Sequence, residues 1–306
     1  MTEENNNIPQ QPIGVEMPGE ADAMKEMLRE LQPYLLDATE NYPEPIYLLE
    51  YNGVPFSTLG GLQAISGQKK NGKSFVLTML MSAILGSADD NSKVADYLPG
   101  LKVPVRTIEY LGHLPKVLYI DTEMGKDDTI AIKNRVCSLA GIPYNEPCER
   151  FKVARLRDTV TAAERWQQIL KLAYVIKPDV MFIDGLLDIV EDYNEQKECT
   201  PIIRELMIMA THYDMSTWCV LHENPTTDKM VGSLGSIAQR KVTEVFAVRK
   251  HKNEKEKEKK PNRPPIYFSV EQLKARGKDV EDWDFEILSV EGWGRPQEIS
   301  DTPAPP

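Results

Sequence analysis

Eight consecutive residues, Gly67, Gln68, Lys69, Lys70, Asn71, Gly72, Lys73 and Ser74, have types and spacing that point to a definite chemistry. They fit G-x-x-x-x-G-K-[ST], a loop whose glycines let backbone N–H groups converge on phosphate oxygens. The apolar segment Leu62–Ser66 leads into it, and a strongly apolar helical segment, Ser74–Leu85, follows at once. A phosphate held there faces a helix N-terminus and gains its dipole. A polar turn is the competing reading. Average residue usage makes a chance match in a chain this long roughly a 1% event, and both flanks agree with the phosphate loop.

In that setting Lys73 reaches the β- and γ-phosphates of a nucleotide, and Ser74 offers its hydroxyl to Mg²⁺. The expected cradle runs from Gly67 through Phe75, with ATP and Mg²⁺ as its ligands. Val180-Met-Phe-Ile-Asp184 is an apolar strand ending in an acid. Open α/β sheets bind ligands at that edge, so Asp184 is the second expected metal residue. Val117-Leu-Tyr-Ile-Asp121-Thr-Glu123 brings two more carboxylates to the same edge. Glu123 is the better candidate to orient or deprotonate the attacking water, and Asp121 can simply finish the strand. His222 ends a third buried strand, Thr217–Leu221, where a polar group contacts the γ-phosphate and reports its loss.

Positioning these residues takes alternating elements. The pattern predicts strands at 62–66, 117–120, 151–156, 180–183 and 217–221. It predicts helices at 74–85, 127–139, 162–175 and 201–212. Strands separated by helices of this length make a mainly parallel sheet flanked by helices. Beyond residue 240 only strands follow (242–249, 265–270 and 285–288), predicting an antiparallel C-terminal extension. The N-terminal 1–45 segment reads as acidic and partly disordered, with a short amphipathic helix over Ala21–Leu36 carrying Met24, Met27, Leu28, Leu31 and Leu35. The remaining expected parts are one α/β domain over 46–294 and a disordered tail over 295–306.

With 306 residues, 41% hydrophobic and 27% charged, the composition is that of a globular chain with ample core. No apolar run approaches the ~20 residues of a membrane span. The N-terminus lacks the basic and apolar regions of a secretory signal, so a cytoplasmic location and no membrane partner are expected. Four cysteines and four histidines show no zinc-ligand spacing, so reduced thiols and no structural metal are expected. Net charge is −11, of which −8 falls in residues 1–45, leaving a nearly neutral body. One run, Arg249–Arg263, holds eight bases against three acids, and reads as a solvated hairpin tip or a phosphate contact.

Taken in order, Gly67–Ser74, Asp121–Glu123, Asp184, His222 and Gly232-Ser-Leu-Gly235 resemble the RecA-fold P-loop ATPases, in particular hexameric replicative helicases of the DnaB and RepA types. YNGVPFSTLGGLQAISG, YIDTEM, FIDGLLDIV and VLHENPTTDKMVGSLGS are most similar to mobile-element RepA-like ATPases, across about residues 46–290. The resemblance implies a RecA-like α/β fold, ATP hydrolysis, a hexameric homo-oligomer, single-stranded DNA, and primase or mobilisation proteins as partners. It implies catalytic roles for Lys73, Glu123 and His222. It also implies a finger supplied by the neighbouring subunit, for which Lys274-Ala-Arg276-Gly277 offers Arg276, with Arg240 and Lys241 as alternatives. Two loops depart from the family. Asp188–Glu195 is acidic, and Asn224–Gly235 has Lys229 as its only Lys or Arg. That keeps open a regulatory ATPase that gates partner binding without translocation.

The motif generates the first test. Lys73→Ala removes the loop's mobile cation, so hydrolysis should vanish and nucleotide binding weaken. Equal ATPase rates in purified variant and parent would remove the site assignment.

Overall fold

The computed structural model describes residues 21–36, 38–87, 91–227, 229–253, 262–289 and 294–299. The expectations for residues 1–20, for most of the basic run and for residues 300–306 lie outside them. The chain divides into two units, Met1–Glu44 and Pro45–Pro306. In the first, α1 (Ala21–Leu31) carries the anticipated apolar residues, with Met24, Leu28 and Leu31 exposed. The α-helix stops short of Leu36 because Pro33 has no N–H to donate and disfavours the helical conformation at Gln32. A 3₁₀ turn, Gln32–Tyr34, takes over.

The second unit opens with a hairpin that the strand–helix alternation did not include. β1 (Tyr47–Tyr51) and β2 (Val54–Thr58) are joined through Asn52-Gly53, whose φ angles are +48° and +81°. Asn-Gly between apolar runs is a hairpin signal for that reason. Next come β3 (Leu62–Gly67), α2 (Lys73–Leu85) and α3 (Val94–Tyr97). β4 (Leu101–Lys102) then returns to pair with β1, completing a three-stranded antiparallel sheet, and α4 (Val105–Leu111) follows.

The alternating part holds β5 (Val117–Asp121), α5 (Lys126–Ala140), β6 (Phe151–Arg155), α6 (Ala162–Ile176), β7 (Val180–Asp184), α7 (Gln196–His212) and β8 (Ser216–His222). After it come α8 (Gly232–Lys241), β9 (Glu244–Lys252), β10 (Ile266–Lys274), β11 (Trp283–Leu288) and β12 (Arg295–Glu298). The nine-stranded sheet has the order β12-β11-β10-β9-β3-β8-β7-β5-β6. From β9 to β6 every pairing is parallel, and from β9 to β12 every pairing is antiparallel. The expected α/β class, a mainly parallel sheet with an antiparallel C-terminal extension, is the observed one. β9 is its last parallel strand.

Helices cover both faces. One core packs α2 and α5 on the sheet through Leu77, Leu80, Ile84 and Val136, and the other packs α6, α7 and α8 through Ile169, Leu206 and Leu234. Strands buried on both faces must be apolar throughout, which explains the unbroken runs in β5, β7 and β8.

Three expectations need correction. α7 begins before Pro201, because the Glu195 side chain accepts from the Lys197 N–H (3.4 Å) and caps a start at Gln196. α8 begins inside the segment read as the loop Asn224–Gly235. Its glycines and serines lower helix propensity, and burial of Leu234, Ile237 and Ala238 overrides that. Residues 295–298 are a strand and not a tail. Arg295 is buried, donating to the Tyr97 hydroxyl (2.8 Å) and Ser138 Oγ (3.2 Å), while Glu298 accepts from the Tyr51 hydroxyl (2.8 Å).

A buried polar group joins β2 to the foot of the main sheet. Glu244 accepts from the Ser57 N–H (2.8 Å), beside Ser57 Oγ, Ser216 Oγ and the Trp218 indole N–H. Burial pushes its pKa from 4.5 up to about 7. The folded state therefore holds a proton that the unfolded chain releases, and stability present below pH 4.5 is lost as pH rises through about 7. Glu244→Gln keeps the acceptor and removes the ionisation. Denaturant unfolding should show the parent losing on the order of 3 kcal/mol relative to this variant between pH 4.5 and pH 8. A constant difference across that range would show that Glu244 does not titrate in the fold.

Candidate active site

The phosphate loop leaves β3 at Gly67 and enters α2 at Lys73. Gly72 caps the helix with φ +88°, and a Cβ there would lie 2.9 Å from the Phe268 ring. No larger residue fits the conformation or the space. The loop also braces on its neighbours: Asn71 Nδ2 donates to Val248 O (3.5 Å) and Gln68 Nε2 to Pro225 O (3.2 Å). Lys73 is buried and folds back, its ammonium donating to the carbonyls of Gly67 and Gln68 (both 2.8 Å). Burial lowers its pKa, opposed by the charges of Asp184, Glu123 and Glu223.

The sheet order brings the other residues to the same edge. β5, β7 and β8 are adjacent, so Glu123, Asp184 and His222 emerge side by side next to the loop. A single cavity of about 570 Å³ is lined by Lys69, Lys70, Asn71, Gly72, Lys73, Ser74, Phe75, Glu123, Asp184 and His222. Gly67 and Gln68 lie behind it as the acceptors of Lys73. His222 Nε2 is 2.9 Å from Glu123 Oε1, and this hydrogen bond lowers the Glu123 pKa against the opposing effect of burial. His222 Nδ1 is buried with no hydrogen-bond partner among the described residues. Such an atom is costly to bury unpaired, and with Nε2–H given to Glu123 a neutral ring leaves Nδ1 as an acceptor.

Asp184 is buried at the strand end with its pKa pushed up to about 7, first by burial and then by the charges of Glu123 and Asp121. The Tyr119 hydroxyl donates to it (3.1 Å) and favours the ionised form. A carboxylate so placed, with the Ser74 hydroxyl in the same cavity, suits a divalent cation brought in by a nucleotide. Mg²⁺ keeps most of its ligands from water and phosphate and needs few from the protein. The residues present fit it. Asp121 plays a different part. Its carboxylate accepts from the N–H groups of Glu123 (3.0 Å) and Met124 (2.9 Å) and shapes the turn that aims Glu123. Thr122 ties the neighbouring loop, donating to the carbonyls of Asp184 (3.0 Å) and Gly185 (2.8 Å).

The finger candidates lie elsewhere. Phe268 near the start of β10 lines the cavity, whereas Arg276 follows the strand's far end and is exposed. Six strand residues and Ala275 lie between them, roughly 20 Å of it along the strand, which sets Arg276 away from its own cavity. Lys274 donates to the carbonyls of Gln239 (2.9 Å), Arg240 (3.2 Å) and Val242 (2.8 Å) and closes the end of α8. Arg240 is exposed and donates to Ser236 O (3.2 Å).

Sequence reasoning missed five residues of this region. Met124, Lys250, Phe268 and Ile287 line the cavity. Glu223 sits buried behind the loop, accepting from Ser66 Oγ (2.6 Å) and ion-paired to Arg249. Two had a signal: Lys250 lies in the basic run read as a hairpin tip or phosphate contact, and Glu223 is an acid directly after the histidine at a strand end.

No protein-family profile and no curated protein sequence matches this chain. Solved structures do. A KaiC-like RecA-fold protein from the hyperthermophilic archaeon Pyrococcus horikoshii is 11% identical with a TM-score of 0.51, over 83% of this chain and 98% of that chain. The fold is therefore RecA-like. Among the described residues no helix is long and apolar enough to cross a membrane.

Glu123→Gln keeps the shape and removes the charge. Nucleotide should still bind while turnover falls by roughly 10²–10⁴, measured by calorimetry and phosphate release. Loss of binding as severe as in Lys73→Ala would make Glu123 structural.

Proposed function

We propose that this chain is a Mg²⁺-dependent ATP hydrolase of the RecA fold that works as a ring, with the RepA/DnaB-type replicative helicases as its nearest functional counterpart. One observation carries the hydrolytic part: a single cavity at the sheet edge gathers Lys73, Ser74, Asp184, Glu123 and His222. Backbone N–H groups of the loop and the Lys73 ammonium would take the β- and γ-phosphates. Ser74 and Asp184 would hold Mg²⁺, which supplies positive charge to the phosphoryl oxygens. Glu123, its pKa lowered and so ionised near neutral pH, is the base for the attacking water. His222 holds Glu123 through Nε2 on the cavity wall, so in this reading the ring positions the base and would feel the γ-phosphate through it.

The ring rests on the resemblance and on where Arg276 lies. Lys69, Lys70, Lys73 and Lys250 line the chain's own cavity, while Arg276 follows the far end of β10, where in a ring it would serve a neighbour's site. A cation arriving there stabilises charge as the γ-phosphoryl group leaves. In this reading the ring is a cytoplasmic homo-oligomer, hexameric by resemblance, acting on single-stranded DNA with primase or mobilisation partners.

A second reading, an ATPase switch that gates a partner without translocating, is favoured by the loop after β7. It carries Asp188, Glu191, Asp192 and Glu195, and it is tied down. The Ala162 N–H donates to Glu191 (2.8 Å), the Leu234 N–H to Tyr193 O (3.0 Å) and Ser233 Oγ to Asn194 O (2.7 Å). Acids on a fixed loop repel a phosphate backbone. ATPase rates with and without single-stranded DNA separate the two: stimulation supports the motor, and indifference supports the switch.

For the shared site, Arg276→Ala should keep near-parental nucleotide affinity yet lose most turnover at concentrations where rings form. Mixing it with Lys73→Ala subunits should restore part of the activity, because an intact Lys73 site then borrows Arg276 from its neighbour. Parental activity independent of concentration in a strictly monomeric protein would end the shared-site reading.

A further inference from the structure

The sheet order gives the cavity a direction. Glu123, Asp184 and His222 stand over β5, β7 and β8, the phosphate loop rises from β3, and on the other side lie β9, β10 and β11. A nucleotide with its γ-phosphate at the first group and its β-phosphate in the loop must carry its base toward the last. The cavity wall there consists of Phe75, Lys250, Phe268 and Ile287. Phe75 already carries the Arg135 guanidinium on one face (4.2 Å), and Phe268 is stacked on Phe285 (5.1 Å), so these rings are fixed apolar walls. Lys250 is registered directly across from Phe268, is exposed, and holds its ammonium 6.0 Å from that ring.

Lys250 is thus the one polar side chain among the described residues on this wall. An ammonium has three donors and no acceptor. It can donate to the N7 and O6 of a 6-oxopurine together, the pairing by which lysine reads guanine. Adenine offers N7 but places an amino donor where the second acceptor would be. Among the described residues lining this wall, no side chain has a carboxylate, amide or hydroxyl oxygen to accept from that amino group.

We propose that Lys250 sets the base selectivity of this site, and that it makes GTP and ITP substrates at least equal to ATP. The inference rests on the hydrolase reading above and deepens it, naming the substrate class as purine triphosphates with 6-oxopurines preferred. Apolar walls supply stacking area without reading the base, and among the described residues the lysine is the side chain placed for an edge contact.

The experiment compares kcat/KM for ATP, GTP and ITP in the full chain with Mg²⁺. Calorimetric binding of ADP, GDP and IDP runs in parallel, against the Lys250→Met variant. The parent should use GTP and ITP as well as ATP or better, by up to roughly tenfold. In Lys250→Met the GTP/ATP and ITP/ATP ratios, and the matching diphosphate affinities, should fall several-fold, with a thermal melt confirming the fold. A parent that prefers ATP tenfold or more overturns the inference and leaves the hydrolase reading standing. So does a variant that weakens all three nucleotides in parallel, since Lys250 would then be a phosphate or ribose contact. Failure of the parent to hydrolyse any of the three would instead overturn the hydrolase reading itself.

Discussion

Charge held out of water at one sheet edge is the constraint on which this structure turns. Asp121 and Asp184 are buried at the ends of β5 and β7 with Lys73 beside them, and Glu123 stands at the rim, partly open to solvent. None of these groups is stable there without a partner. Asp121 spends its charge on backbone N–H groups, Glu123 on His222, and Lys73 on the carbonyls of its own loop. Asp184 has the neutral Tyr119 hydroxyl as a side-chain partner, and burial beside like charges drives its pKa toward neutrality. A nucleotide with its metal would answer that deficit, bringing negative charge to Lys73 and positive charge to Asp184 at once.

The turns around the edge are shaped by the same need. Gly185 has φ +98°, and a Cβ there would collide with Thr122. Its absence lets Thr122 tie the β5 turn to the β7 turn, so that Glu123 and Asp184 hold a fixed relation. Behind the loop, the buried Glu223 takes the Ser66 hydroxyl and Arg249, which fastens the end of β8 to β9. The phosphate loop is thereby bracketed by two strands whose ends are locked, and His222 sits between the lock and Glu123. His222 ends β8, so it shares a strand end with the loop that follows.

That following loop and the one after β7 set the kind of work a change at the site can do. In this chain they are joined to each other through Tyr193, Asn194, Ser233 and Leu234. Motion of one must carry the other, and with them the start of α8. The loop after β7 carries Asp188, Glu191, Asp192 and Glu195, so this surface is acidic.

Local chemistry was legible in the sequence. The phosphate loop needs eight contiguous residues, and a doubly covered parallel strand must be apolar until it reaches its ligand edge. Lys73, Ser74, Glu123, Asp184 and His222 could therefore be named, and the parallel core with them. The hairpin at Asn52-Gly53 was also written there, in a two-residue turn. What the sequence does not hold is adjacency. Glu123 and His222 are 99 residues apart and meet only because β7 lies between β5 and β8 with all three in parallel register. Phe268, Ile287 and Lys250 look like ordinary strand and surface residues, and they become one end of a cavity only because β9, β10 and β11 extend the sheet past the loop. Asp121 and Glu123 carry the same functional group two positions apart. Tertiary structure separated their roles, because one faces the N–H groups of its own turn and the other faces the histidine of a distant strand.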